Sequence, residues 1–250
     1  MSSQPRAPDS GVLSVERSEQ LVQTATQILQ KFDSNQQRSA IWSRPLAIEL
    51  LGQPASGKTS AQGVLRHFFR RNKFEVHAPR EGAEAIESPR LTPDYNLHTV
   101  EWALHHARLL RHSKQHHIGI FDRAIYDGVV RMEHYLGEGE ISAHDRDIIE
   151  QYFLLPCNAS LFDLHVFLMC KPDTTFDRKR KVEVVHKPGK TLNTDTLNRL
   201  YDSHQRVWDR LKLGADPRFL WLCTDTLNQL EVAESILTAA LSAFERHISG

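Results

Sequence analysis

Apolar residues in this chain follow two rhythms. Short continuous runs alternate with longer stretches in which apolar positions recur every three or four residues. Leu46–Leu51 is a compact run suited to a central strand buried on both faces. Further strands are predicted at Lys73–Ala78, Ile118–Phe121, His165–Cys170 and Arg218–Thr224. Helical spacing predicts a helix over Ser60–Arg71, with Val64, Leu65, Phe68 and Phe69 on one side. A second runs from Thr92, as N-cap with Pro93 at the first helical position, to about Ser113. Ile125–Leu136 is the next, stopped by Gly137-Glu138-Gly139. Ser142 and Asp145 form a capping box for a helix to Leu155, broken by Pro156. Others begin at Asp173, at a cap within Asn193–Asp195 (ending near Gly214), and at a box of Thr226 and Gln229 (ending near His247).

Upstream, Leu21, Val22, Ala25, Ile28, Leu29 and Phe32 share one face of an amphipathic helix. Packing on the flank of the domain is expected, with partner binding as the alternative. Strands separated by helices imply an α/β fold, a five-stranded parallel sheet covered by helices on both faces, giving three layers. Residues 1–40 read as a disordered tail (to about Gly11) plus that helix, and 41–250 as one domain.

Composition narrows the classes. The 250 residues carry 31 Lys+Arg against 31 Asp+Glu, so no global basic field points to nucleic acid or an anionic membrane. No apolar run approaches the ~18 residues of a membrane span, and MSSQPRAPDSG lacks the apolar centre of a signal peptide. Cys157, Cys170 and Cys223 suggest neither a disulfide framework nor a zinc site, which agrees with a cytoplasmic location.

The chemistry centres on LAIELLGQPASGKTS, residues 46–60. Gly52, Gly57, Lys58 and Thr59 have the spacing of a phosphate-binding loop between a strand and a helix. The loop Gly52-Gln53-Pro54-Ala55-Ser56-Gly57-Lys58-Thr59-Ser60 would turn its N–H groups toward phosphate oxygens, aided by the helix dipole. Lys58 would reach the outer phosphates of ATP, and the Thr59 hydroxyl would hold Mg²⁺.

Ligands gather at the carboxyl ends of parallel strands, and further candidates fall at such ends. Asp122-Arg123 follows the third strand: the carboxylate can hold Mg²⁺ or accept a proton, the arginine can grip phosphate. Arg80-Glu81 follows the second, where Glu81 is a base or hydroxyl ligand if it is not a solvated turn residue. Arg178-Lys179-Arg180-Lys181, with Lys187 and Lys190 nearby, follows the fourth; Arg178 and Arg180 are the expected lid cations in a lid over about 172–192. His98, His105, His106, His112, His116 and His117 are read as packed or solvated, because seven-residue spacings lie about 10.5 Å apart along a helix.

Together these motifs resemble the P-loop nucleoside and nucleotide kinases, thymidylate and deoxynucleoside kinases above all, over approximately Leu46–Ile248. The resemblance implies transfer of phosphate from Mg-ATP to a small nucleoside-like or nucleotide-like acceptor. It assigns Gly52–Thr59 to ATP, Glu81 to the acceptor, Asp122 and Arg123 to the family's acid–arginine pair, and Arg178 and Arg180 to its lid. Arg80-Glu81-Gly82-Ala83 stands where thymidylate kinases have Arg-Glu-Pro-Gly, and Ala124 where deoxynucleoside kinases have Ser, so the acceptor is left open. The loop is also similar to that of zeta-toxin-type kinases. A polynucleotide 5′-hydroxyl kinase and an ATPase switch with a protein partner are the alternatives; homodimer formation is left open.

Overall fold

The computed structural model describes residues 14–38, 44–87, 89, 92–180 and 193–249. In chain order the elements are α1 (Val15–Arg38), β1 (Leu46–Gly52), α2 (Lys58–Arg71), β2 (Val76–His77), α3 (Gly82–Ala85) and α4 (Pro93–Arg111). There follow β3 (Ile118–Asp122), α5 (Ile125–Glu138), α6 (Ala143–Phe153), α7 (Pro156–Ala159), β4 (Leu164–Met169) and α8 (Pro172–Arg180). The chain closes with α9 (Thr194–Arg210), a 3₁₀ turn (Leu213–Ala215), β5 (Phe219–Cys223) and α10 (Gln229–Ser249).

The five strands form one parallel sheet in the order β2-β3-β1-β4-β5. Alternation along the strands divides the core in two. Leu46, Ile48 and Leu50 of β1, Ile118 and Ile120 of β3, and Leu164, Val166 and Leu168 of β4 face α1, α2 and α10. Ala47, Leu51, Phe121, Phe167 and Met169 face α4, α5 and α9. The expected three-layer α/β architecture is therefore present. Most of the stripe of α1 is consumed within it: Leu21, Ala25, Ile28 and Phe32 are buried, Leu29 packs partly buried against them, and the Phe32 ring lies 5.7 Å from that of Phe244 in α10, while Val22 stays exposed.

Several boundaries differ from the sequence reading. The second strand shrinks to Val76–His77, because the chain turns at Lys73 with φ 69° and pairs only with β3 at the sheet edge. α5 runs through Gly137 and stops at Gly139, where φ is 74°. The last helix is capped one residue before Gln229: Asn228 Oδ1 accepts from Leu230 and Glu231 N–H, and Glu231 reaches back to Asn228 N–H. Asn228 and Glu231 thus replace the expected Thr226 and Gln229. Pro156 opens α7 at its first turn. The Thr92, Ser142 and Asn193 caps form as expected.

Candidate active site

The loop after β1 is shaped by its glycines. Gly52 has φ 136°, and a Cβ there would lie 1.9 Å from the Leu168 carbonyl oxygen, so only glycine lets β1 pass this close to β4. Gly57 has φ 96° and precedes the first turn of α2. Between them Gln53, Ser56 and Lys58 are buried, Pro54, Ala55 and Gly57 are half-buried, and Thr59 and Ser60 are exposed at the mouth. The Lys58 ammonium folds over the loop and donates to the carbonyls of Gly52 (3.1 Å) and Gln53 (2.8 Å). Burial, then the Arg123 charge, lowers its pKa to about 8.

Beside this loop lies the turn from β3 into α5. Arg123 N–H donates to Leu50 O at 2.8 Å, tying the turn to β1, and Arg123 itself sits at φ 70°. Its Nε is 2.9 Å from Glu81 Oε1, which comes from the end of β2. Burial raises the pKa of Glu81, against the pull of Arg123. Burial likewise raises that of Asp122, against Lys58 and Arg123, and Asp122 Oδ1 is buried with no hydrogen-bond partner among the described residues. Burial pushes Asp127 upward too, but Arg123 and Arg131 outweigh it and hold its carboxyl below the usual range. Lys58, Glu81, Asp122 and Arg123 therefore meet at the carboxyl ends of β1, β2 and β3.

On the other side of the loop a pocket of about 260 Å³ is lined by Ala55, Ser56, Gly57, Ser60, Arg178, Leu227 and Val232, among others. Arg178 donates to Ala55 O at 3.1 Å and to Thr224 Oγ1 at 3.0 Å. Its guanidinium forms part of the pocket wall, with none of these bonds going to the acid–arginine cluster. Arg180 ends α8, and its side chain, like Lys181, Lys187 and Lys190, lies outside the described residues.

Solved structures of deoxyadenosine kinase from M. mycoides share this architecture. The form with products dCMP and a flexible dCDP bound has a TM-score of 0.56 at 13% identity, covering 79% of this chain and 99% of that one. The form with bound dCTP has a TM-score of 0.53 at 14% identity, covering 79% and 100%. The form with bound dATP has a TM-score of 0.51 at 14% identity, covering 77% and 98%. The fold is that of the P-loop kinases. No family model matches the chain, and no curated protein matches its sequence.

Within this P-loop kinase fold several groups at the site escaped the sequence reading. Asp127 and Arg131, one helical turn apart on α5 and 3.6 Å from each other, are buried behind Arg123. Their signal was an oppositely charged pair at i, i+4, flanked by Ile125, Val129, Val130 and Met132. Glu49 is fully buried in β1, on the face toward α5; its signal was one charge inside an apolar strand. His204 of α9 is fully buried, its Nδ1 2.7 Å from Leu200 O, and burial lowers its pKa to about 4. Gln53 Nε2 donates to Leu197 O at 3.2 Å, so α9 also braces the loop.

The histidine-rich stretch forms a ring cluster at the β2 edge. His77 lies 5.5 Å from His106 and 5.2 Å from His116, and Trp102 covers His106. Among the described residues no group of three or more His, Cys, Asp or Glu is arranged to hold a metal. Nor is any described helix long and apolar enough to cross a membrane.

Proposed function

We propose that this chain is a phosphotransferase that uses Mg-ATP to phosphorylate a hydroxyl or phosphate group of a nucleoside, a nucleotide or a related small molecule. The observation that carries this reading is the convergence of Lys58, Asp122, Arg123 and Glu81 beside a loop with the backbone of a phosphate cradle.

The residues fit a magnesium nucleotide. The buried Asp122 Oδ1 lacks a hydrogen-bond partner among the described residues, and the Thr59 hydroxyl is exposed at the loop mouth. These two oxygens suit an octahedral ion that keeps several waters. When bound, the ion would neutralise phosphate charge and polarise the bond that breaks. Lys58 carries the ammonium for the outer phosphates, exchanging its two loop carbonyls for phosphate oxygens. Arg123 supports charge on the transferring group from the opposite side. Arg178 serves the donor by walling the pocket, whose apolar Leu227 and Val232 suit the flat face of a base. Arg180 is retained as a lid cation on its position after β4. Glu81, with a raised pKa and partial exposure, receives the acceptor proton, and Asp122 serves the ion. A cytoplasmic location accords with the three free thiols.

The switch reading would use α1 for a partner, and the burial of Leu21, Ala25, Ile28 and Phe32 of that helix in the core gives it no support. The test is ATP consumption by the purified protein with Mg²⁺, against nucleosides, monophosphates, nucleotide sugars and 5′-hydroxyl oligonucleotides, with Arg123→Ala in parallel. Stimulation by one acceptor class that disappears in the variant supports the kinase and names its substrate. Equal, acceptor-independent hydrolysis across the panel overturns it.

A further inference from the structure

Glu49 lies outside the phosphate loop and outside every motif described for this site, yet it organises the turn on which the acid–arginine pair sits. Its side chain leaves β1 toward α5. Glu49 Oε1 accepts the N–H of Ala124 (2.8 Å), Tyr126 (3.1 Å) and Asp127 (3.0 Å). Glu49 Oε2 lies 2.8 Å from His165 Nδ1 on the neighbouring strand β4. The His165 ring is itself fixed, stacked on Phe219 at 4.8 Å and met edge-on by Tyr126 at 4.4 Å.

The first N–H groups of α5 have no partners inside the helix, and no side chain of the turn caps them. The cap comes instead from a different strand. A carboxylate at this end also complements the helix dipole. The turn it holds is an unusual one: Arg123 is at φ 70°, and Ala124 at φ −158°, ψ −127°. Asp122 and Arg123 precede the capped amides, and Asp127 carries one of them.

We infer that Glu49, braced by His165, is a positioning residue that fixes Asp122 and Arg123 relative to the phosphate loop. The inference rests on the kinase reading, because it assigns Glu49 to the geometry of phosphate transfer. β1 reaches the turn twice, through the Glu49 carboxylate and through Leu50 O, and three residues later β1 becomes the loop itself. The spacing between loop and acid–arginine pair is thus set by one strand. Burying a carboxylate is costly without several hydrogen bonds, and here three amides and an imidazole supply them.

The test compares Glu49→Leu with Glu49→Gln, which keeps an oxygen for the amides. Glu49→Leu is expected to lower kcat about 100-fold, the scale of a misplaced reacting group. KM for ATP should stay within about threefold, since the loop backbone is untouched. Glu49→Gln should recover at least about tenfold of that loss. Amide hydrogen exchange, followed on both variants, should accelerate at Ala124, Tyr126 and Asp127 in the leucine variant while β1 and α2 stay protected. An unchanged kcat in Glu49→Leu, unchanged exchange at those amides, or equal losses in both variants would overturn the inference. If Glu49→Leu does not fold, Glu49→Asp decides, because it withdraws the carboxylate by one methylene; full kcat there also overturns it. A wild-type protein inactive on every acceptor overturns the kinase reading instead, and the exchange comparison still decides whether Glu49 holds the turn.

Discussion

In the proposed kinase, donor binding turns on Lys58. Its depressed pKa of about 8 means that the ammonium loses its proton within reach of ordinary assay buffers. Phosphate binds the charged form, so ATP affinity should be flat below about pH 7, be roughly halved near pH 8 and keep falling toward pH 9.5, as calorimetric titration of ATP would read. The same shift acts on stability with the opposite sense. Between pH 8 and the unfolded value of 10.5 the unfolded chain holds more protons at Lys58, so this group favours the fold increasingly as pH rises. Lys58→Ala should reduce turnover at least about 100-fold, and turnover unchanged from wild type would defeat the assignment. Glu81→Gln should lower kcat by about 10²-fold and flatten the acid limb of the pH profile, as befits loss of a base. The phosphate loop, Glu81, Asp122 and Arg123 were legible in sequence because each follows a strand end. Glu49, Asp127, Arg131 and His204 were not, because they lie inside strands and helices, where the spacing of a polar side chain does not tell which neighbouring element it meets. Arg178 was read as a lid cation after the fourth strand; its grip on Ala55 and Thr224 depends on how α8 meets β5, which sequence spacing does not report.

At the scale of elements, alternation in β1 does two jobs: Leu46, Ile48 and Leu50 fill the core under α1, α2 and α10, while Ala47, Glu49 and Leu51 lie on the face of α4, α5 and α9. Local caps were readable at Thr92, Ser142 and Asn193, whereas at α10 the cap falls on Asn228 and Glu231, two residues after the expected pair. α5 begins at Ile125 as expected, but its cap lies 75 residues away in sequence and leaves no local signature. The crossing of β1 and β4 tolerates no side chain at Gly52. Gly52→Ala should cost about 3 kcal/mol or more, or prevent folding, since a backbone carbonyl blocks the methyl and φ is unfavourable as well. Urea denaturation against wild type measures it. Phe32→Ala, which empties a fully buried position between α1 and α10, should cost about 3–5 kcal/mol by the same method.

For the whole molecule, the alternation of strands and helices made the α/β class readable, but the order β2-β3-β1-β4-β5 emerges only when the strands pair. Placing β1 in the sheet centre puts the phosphate loop between the acid–arginine turn and the base-sized pocket. The fold also keeps His204 neutral. From pH 6.5 toward 4 the unfolded chain takes up a proton there that the folded one refuses, so stability falls with acid. Between pH 7 and pH 5 wild type should lose about 2 kcal/mol more than His204→Leu, read by chemical denaturation at both values.

α10 stands in two places at once. Its first turns, through Gln229 and Val232, line the pocket beside the loop, while Glu234 and Thr238 receive Arg17 and Phe244 receives Phe32. Whatever fills the pocket therefore presses on the same rod that clasps the N-terminal helix. Under the kinase reading a saturating nucleotide should therefore delay melting, and a scan of Tm against nucleotide concentration reads its occupancy of the site.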